Sequence, residues 1–375
     1  MLRTTTTTKI AAGAAIVALA AAGCGSKSTP AASAPATTTS AAPATTASAA
    51  AANFSACMVT DTGGIDDKSF NASAWKGMQD AQSAGKAQVQ YVQSTTENDY
   101  VPNINNLLAK GCSLIVTVGG LMGDATTTAA NANPSKKFAI VDSGATDSKG
   151  NVISNLHGME FNTAQGAFLA GYAAAGTSKT GTVATWGGLN IPPVTVYMDG
   201  FWEGVQYYNK QKGKNVKVLG WDETNQKGGT FSQSFTDTAK GKQITDAFVN
   251  QGADVIFPVA GGSGLGAGAA ADASGGKAKV IWVDTDGCQS AAQYCKDFLS
   301  SVTKGLASAV QTYLKQAATG TYPTGSYIGT LANGGTGLAP YDSSVPQALQ
   351  TEIAGVKADI VSGKIKITSP SQPAS

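Results

Sequence analysis

The run Thr60-Asp61-Thr62-Gly63-Gly64-Ile65-Asp66-Asp67-Lys68-Ser69-Phe70-Asn71 decides how this chain is read. A strand-like apolar run, Ala56-Cys57-Met58-Val59, precedes it, and an amphipathic helical pattern follows over 70–83. A polar, acidic, glycine-bearing loop at the C-terminal end of a first strand is where open α/β sheets place ligand contacts. The loop offers carboxylates, backbone N–H groups left approachable by glycine, and one large aromatic. Those parts suit a small molecule that has both hydroxyls and a flat face.

Working outward, strand-like runs at 89–93, 114–118 and 138–141 alternate with helical patterns at 101–109 and 125–132. The second half repeats the scheme. Helical patterns cover 164–175, 194–208, 242–250 and 302–318, and strand-like runs cover 182–186, 216–219, 255–259 and 280–283. Such βα alternation implies parallel sheets covered by helices. The halves also echo each other. Gly111-Cys-Ser-Leu-Ile-Val-Thr-Val-Gly119-Gly120 parallels the run from Gly252 to Gly262, which begins 141 residues later. Phe138-Ala-Ile-Val-Asp142 parallels Val280-Ile-Trp-Val-Asp284, displaced by 142. A near-constant offset points to two similar α/β lobes whose strand ends face one cleft.

The N-terminus reads as an address. Arg3 and Lys9 precede a short apolar run, 10–22, and Ala21-Ala22-Gly23-Cys24 has the ending of a lipoprotein signal (1–23) with Cys24 as the lipidated residue. An ordinary cleaved signal with a chance cysteine is the plainer reading. Residues 24–53, almost only Ala, Thr, Ser and Pro beyond Lys27, lack the large apolar side chains that offset ordering entropy and are expected to form a disordered tether. The 375-residue chain carries 26 Lys and Arg against 24 Asp and Glu. Without Arg3 and Lys9 the charges balance, which argues against nucleic acid as a partner and against electrostatic docking on a membrane.

Four further cysteines, Cys57, Cys112, Cys288 and Cys295, read as disulfides in an exported protein. Cys288 and Cys295 enclose a short loop and should pair locally. Cys57 and Cys112 each begin a strand-like run and can pair if the first and third strands are neighbours. A four-cysteine metal site is the sharper alternative, but CxxC spacing is lacking. Catalytic equipment is sparse. The single histidine, His157, excludes multi-histidine metal sites and has no Gly-x-Ser-x-Gly elbow beside it. Gly262-Ser-Gly264-Leu-Gly266-Ala267 fits a dinucleotide fingerprint, with Asp284 twenty residues past Gly264. It sits in the middle of the second half, however, and a glycine loop that admits a ligand to backbone N–H groups explains the same residues.

Asp61, Asp142, Asp284 and Asp286 all follow expected strands, where carboxylates can accept bonds from a diol; helix capping uses the same residue type at the same place. Phe70 and Phe235 stand in polar runs and serve either as stacking faces or as core.

Thr60 to Asn71 resembles the signature of the basic membrane protein family of ABC-transporter substrate-binding lipoproteins, whose best-known type is the purine nucleoside receptor. Gly166-Ala-Phe-Leu-Ala-Gly171-Tyr-Ala-Ala174, Gly187-Gly188, Gly200-Phe-Trp-Glu-Gly204, Gly252-Ala-Asp-Val-Ile256 with Ala260-Gly-Gly-Ser-Gly264, and Ser301-Val-Thr-Lys304 follow its pattern in order. The resemblance implies a type I periplasmic-binding-protein fold: two doubly wound parallel-sheet lobes joined by a hinge. Lobe 1 would hold 54–158 and a returning segment, 288–325; lobe 2 would hold 159–287 and the C-terminal segment. It implies a non-enzymatic, extracytoplasmic receptor, lipid-anchored through Cys24, monomeric, without cofactor or metal, serving an ABC permease and ATPase. A nucleoside would meet Asp61, Phe70, Asn71 and Asp142 on one side. Phe235 or Trp221, Gly261, Asp284 or Asp286, and Lys304 would meet it on the other. A sugar receptor or surface antigen on the same fold is the alternative. Two departures touch the expected pocket: Gly120 stands where the family often has an aromatic, and Gly287-Cys288 opens a cysteine-closed insertion.

Overall fold

The computed structural model describes residues 54–373; Cys24, the signal and the tether lie outside the described residues. Two six-stranded sheets build the body. The first contains β1 (Ser55–Thr60), β2 (Gln88–Val92), β3 (Leu114–Val118), β4 (Lys137–Val141), β5 (Leu156–Phe161) and, from much later in the chain, β11 (Gly325–Gly329). Its order is β11-β5-β4-β3-β1-β2, all parallel. The second contains β6 (Thr182–Gly187), β7 (Lys217–Leu219), β8 (Val255–Val259), β9 (Lys279–Asp284), β10 (Phe298–Lys304) and β12 (Thr336–Leu338). Its order is β12-β10-β9-β8-β6-β7, with β12 alone antiparallel. Each sheet is doubly wound, with its order reversing between the first and third strands of the lobe.

Alternation along each strand produces the layers. Ala56 and Met58 of β1 face one apolar cluster while Cys57 and Val59 face another. In lobe 1, α1 (Phe70–Ser83) and α9 (Leu306–Ala317) cover one face of the sheet, and α2 (Tyr100–Ala109) and α3 (Gly123–Ala132) the other. In lobe 2, α4 (Ala164–Thr177), α5 (Pro192–Lys212) and α10 (Gln347–Val361) cover one face. Helices α6 (Thr238–Asn250) and α7 (Leu265–Ala273) cover the other, and the short α8 (Gly287–Ser290) follows β9. Helices α4 and α5 meet backbone to backbone, because Gly171, Gly200 and Gly204 leave no side chain between them.

The chain crosses between lobes three times: after Phe161, after Lys304 and after Gly329. The expected returning segment began at 288, but β10 pairs with β9 and the Cys288–Cys295 loop stays in lobe 2. The return therefore starts after Lys304. The helix expected over 302–318 is corrected for the same reason. Phe298-Leu-Ser-Ser-Val-Thr-Lys304 is a buried strand, and the helical period starts only past Gly305. Strands β5, β11 and β12 and helix α10 were not anticipated. The first three carry glycine, histidine or threonine where a strand usually shows branched apolar residues.

Both disulfides are formed, Cys57–Cys112 between adjacent β1 and the start of β3, and Cys288–Cys295 across the α8 turn. His157 is buried, stacked on Tyr313 with ring centroids 4.3 Å apart. Among the described residues no helix is long and apolar enough to cross a membrane.

The disulfides close loops of different length, with separations of 55 and 7 residues. Loop-closure entropy assigns them roughly 4 and roughly 2.5 kcal/mol. Replacing Cys57 and Cys112 together by Ser is expected to lower the melting temperature more than replacing Cys288 and Cys295. Scanning calorimetry of the two double variants checks the order; the reverse order contradicts it.

Candidate functional site

The strand ends of both sheets converge on one cavity between the lobes, about 520 Å³ of empty space including its mouth. That is the size of a small-molecule site. From lobe 1 the walls are the loop after β1 (Asp61, Gly63, Asp67), the start of α1 (Phe70, Asn71), the loop after β3 (Gly119, Gly120) and Asp142 after β4. From lobe 2 they are the start of α5, Phe235, the Val259-Ala260-Gly261 turn, Val283-Asp284 and Lys304.

Asp61 continues the sheet, its N–H donating to Val118 O at 3.0 Å. Its Oδ1 accepts from Gly63 N at 2.9 Å and from Asn71 Nδ2 at 2.8 Å. A carboxylate only accepts, so this bond fixes the Asn71 amide with its Oδ1 as the remaining polar atom. That Oδ1 is buried and has no hydrogen-bond partner in the protein. A buried acceptor without a partner is uncommon and costly, and here it lies in a cavity wall. Gly119 is required beside it: its φ of +118° suits glycine, and a Cβ would collide with the Asp61 carboxylate.

Asp67 caps α1. Its Oδ1 accepts from Ser69 N and Ala72 N at 3.0 and 3.1 Å, and its Oδ2 from Asn71 N at 2.8 Å. Burial nevertheless pushes its pKa up to about 7, with the Asp284 charge adding to the rise. Burial also raises Asp61. Asp142 is pushed up to about 6 by burial, against the opposing pull of Lys304, whose Nζ is ion-paired with Asp142 Oδ2. The Lys304 ammonium also lies 4.9 Å from the centroid of the Phe70 ring and 5.7 Å from that of Tyr197. Asp284 accepts from Tyr197 Oη on Oδ1 at 2.6 Å and from Ser69 Oγ on Oδ2 at 2.5 Å. Asp142 and Asp284 close equivalent strands and share left-handed backbones, with φ of +63° and +65°. Non-glycine residues held there mark strain of the kind found at functional sites.

Of the residues singled out in the sequence, Asp61, Phe70, Asn71, Asp142, Phe235, Gly261, Asp284 and Lys304 line this one cavity. Asp286 does not. Its carboxylate caps α8, accepting from Cys288 N at 3.0 Å and Gln289 Nε2 at 3.1 Å, which is the competing use of an Asp at a strand end. Trp221 does not either. It is buried edge-on to Phe231 and donates from Nε1 to Asp199 Oδ1 at 2.9 Å. Phe235 is therefore the lobe-2 aromatic at the cavity, its ring laid on Gly188, where a Cβ would clash. Sequence reasoning passed over Asp67 and Tyr197. Asp67 lies inside the quoted loop, and Tyr197 within the helical pattern over 194–208. The dinucleotide-like glycines turn out to serve packing: Gly266 lies against the backbone of α6 and Gly264 against Trp282. No group of His, Cys, Asp and Glu among the described residues is placed to hold a metal ion.

Comparison with known proteins identifies the family. The family model described as ABC transporter substrate-binding protein PnrA-like matches residues 54–371. The ABC transporter nucleoside-binding protein BmpA of Lactococcus lactis subsp. cremoris (strain MG1363) is 32% identical over 337 residues, 84% of this chain and 90% of the relative. The CD4+ T-cell-stimulating antigen of Listeria monocytogenes serovar 1/2a (strain ATCC BAA-679 / EGD-e) is 31% identical over 338 residues, 86% and 89% of the two chains. Among solved structures, an ABC transporter system solute-binding protein from Aeropyrum pernix K1 superposes with a TM-score of 0.74 over 84% of this chain and 94% of the other. At 24% identity that likeness speaks for the fold alone.

The raised carboxylates give a pH dependence of definite sign. Unfolded carboxylates titrate near pH 4. Between there and about pH 7 the folded protein holds more protons than the unfolded chain, through Asp67 and Asp142. Stability therefore falls as pH rises through that window. Glu223, raised to about 8 by burial and by neighbouring Glu203, extends the same slope. The melting temperature is expected to be higher at pH 5.5 than at pH 8, by an amount on the order of a few degrees. Asp67→Asn should shrink the difference. A melting temperature that climbs with pH contradicts the assignment.

Proposed function

This chain belongs to the family of PnrA-like ABC transporter substrate-binding proteins, and from that premise we propose that its cleft takes a purine nucleoside for delivery to the permease and ATPase of an ABC importer. Members of the family are non-catalytic carriers, and the chain is accordingly an extracytoplasmic, membrane-associated solute-binding protein of a transport system. The finer reading adds that it works as a monomer, held to the membrane by lipid on Cys24.

One observation carries the ligand class. Asn71 Oδ1 is a buried acceptor without a protein partner, set in a cavity wall beside the Phe70 ring. An aromatic base that brings an N–H edge to Asn71 and a π-face to Phe70 satisfies both. Phe235 supplies an aromatic from the other lobe, and Asp61 a second acceptor next to Asn71. Asp284 supports the sugar half of the reading. Ser69 occupies one lone pair of Oδ2 and Tyr197 one of Oδ1, which leaves each oxygen able to accept once more. Two adjacent acceptors suit a vicinal diol. Gly261 and Lys304 complete the proposed contacts, with Lys304 neutralising Asp142.

Charge narrows the class further. Among the described residues, Asp61, Asp67, Asp142 and Asp284 line the cavity against one cation, Lys304. A phosphate would add charge of the wrong sign to a partly desolvated acidic cleft. Nucleosides belong there and nucleotides do not.

Calorimetric titration with inosine, guanosine and adenosine is expected to show saturable binding to at least one. The matching 5′-monophosphate should bind roughly 100-fold more weakly. Phe235→Ala should weaken nucleoside binding roughly 5- to 100-fold, the worth of one base–aromatic stack. Trp221→Phe should leave that contact in place. Heat from a free sugar with none from any nucleoside would refute the nucleoside assignment.

A further inference from the structure

Ser69 holds the position immediately before α1, where a serine ordinarily caps the helix with its hydroxyl. It does not do so here. No side-chain capping bond comes from Ser69, and Asp67 takes the amides of Ser69, Asn71 and Ala72 instead. The freed Ser69 hydroxyl, fully buried, crosses the cleft and donates to Asp284 Oδ2 at 2.5 Å. Its neighbour reinforces the crossing. Lys68 O accepts from Trp282 Nε1 at 3.4 Å and from Thr285 Oγ1 at 3.3 Å. Both backbones at the junction are left-handed, Lys68 at φ +57° and Asp284 at φ +65°. A local rule broken on both sides of one contact, with the capping duty moved two residues upstream, marks a contact made for closure.

We propose that the Lys68-Ser69 turn is the closure latch of the cleft, and that Ser69 is a positioning residue that aims the Asp284 carboxylate at the ligand. The bond exists only when the lobes meet, because Ser69 belongs to lobe 1 and Asp284 to lobe 2. Tyr197 holds Oδ1 from within lobe 2 whether or not the lobes meet. Ser69 therefore fixes the second oxygen at the moment of closure, so that diol recognition and lobe closure share one carboxylate. Loss of the bond frees the lobes to part and chiefly speeds release of the ligand. This extends the nucleoside reading given above and rests on it for the identity of the diol.

Stopped-flow kinetics with the ribonucleoside that binds wild-type protein test the latch. Ser69→Ala is expected to raise the dissociation rate about tenfold with the association rate within about twofold, and Ser69→Thr to restore it. The variant should also narrow the preference for a ribonucleoside over its 2′-deoxy analogue, which a merely structural role would not do. An unchanged dissociation rate, or an equal loss for both sugars, overturns the proposal. Small-angle scattering of the ligand-free protein reads the latch without a ligand. Ser69→Ala should show a larger radius of gyration than wild type, and coincident curves overturn the latch. Failure of wild-type protein to bind any nucleoside counts instead against the ligand assignment, with the scattering result still deciding the latch.

Discussion

Bringing two parallel-sheet lobes together forces acidic strand ends into a shared, poorly hydrated space. Four carboxylates and one ammonium meet there, and the molecule must satisfy them to stay shut. It does so by distributing donors. Gly63 and Asn71 serve Asp61, three backbone amides serve Asp67, Lys304 serves Asp142, and Tyr197 with Ser69 serves Asp284. Each carboxylate thus has a donor, while the buried Asn71 Oδ1 beside them has none. A ligand rich in N–H and O–H donors completes such a site, whereas an anion aggravates it. Ligand class, pH response and closure thus have a common origin in charge desolvation.

The two lobes solve the same geometric problem twice. An aspartate held at positive φ directly follows β4 and another ends β9, and these aspartates stand 142 residues apart in sequence. Each turns its carboxylate from the sheet edge toward the cleft. Their partners differ, and the difference gives the cleft its two ends. Asp142 faces the ion pair with Lys304, close to the point where the chain crosses back to lobe 1. Asp284 faces hydroxyls, one from its own lobe and one from the opposite lobe. The first is anchored near a crossing. The second depends on the lobes meeting.

Most of the architecture was legible because buried parallel strands are short, apolar and followed by glycine or aspartate. Leu114 to Val118, followed by Gly119, and Lys137 to Val141, followed by Asp142, announce themselves in this way. Phe298 to Lys304 did not, since its paired serines and Val-Thr ending blend into the helical pattern that follows Gly305. That strand decides the second crossing between the lobes, which follows Lys304. Within the site, residue type and position relative to a strand located Asp61, Asp142 and Asp284. The same rule placed Asp286 wrongly, because capping and ligand contact draw on the same side chain. Tyr197 and the diverted hydroxyl of Ser69 were beyond sequence reasoning: each acquires its role from a partner more than eighty residues away.

In the proposed complex, opposite lobes of one acidic cleft hold a donor-rich ring and a diol. A crystal structure of the protein grown with inosine tests this most directly. The base is expected to stack on Phe70 with an N–H at hydrogen-bond distance from Asn71 Oδ1, and the ribose diol to sit on Asp284, with Ser69 Oγ still bonded to its Oδ2. A nucleoside bound elsewhere, or bound in the cleft with its diol turned away from Asp284, would contradict it.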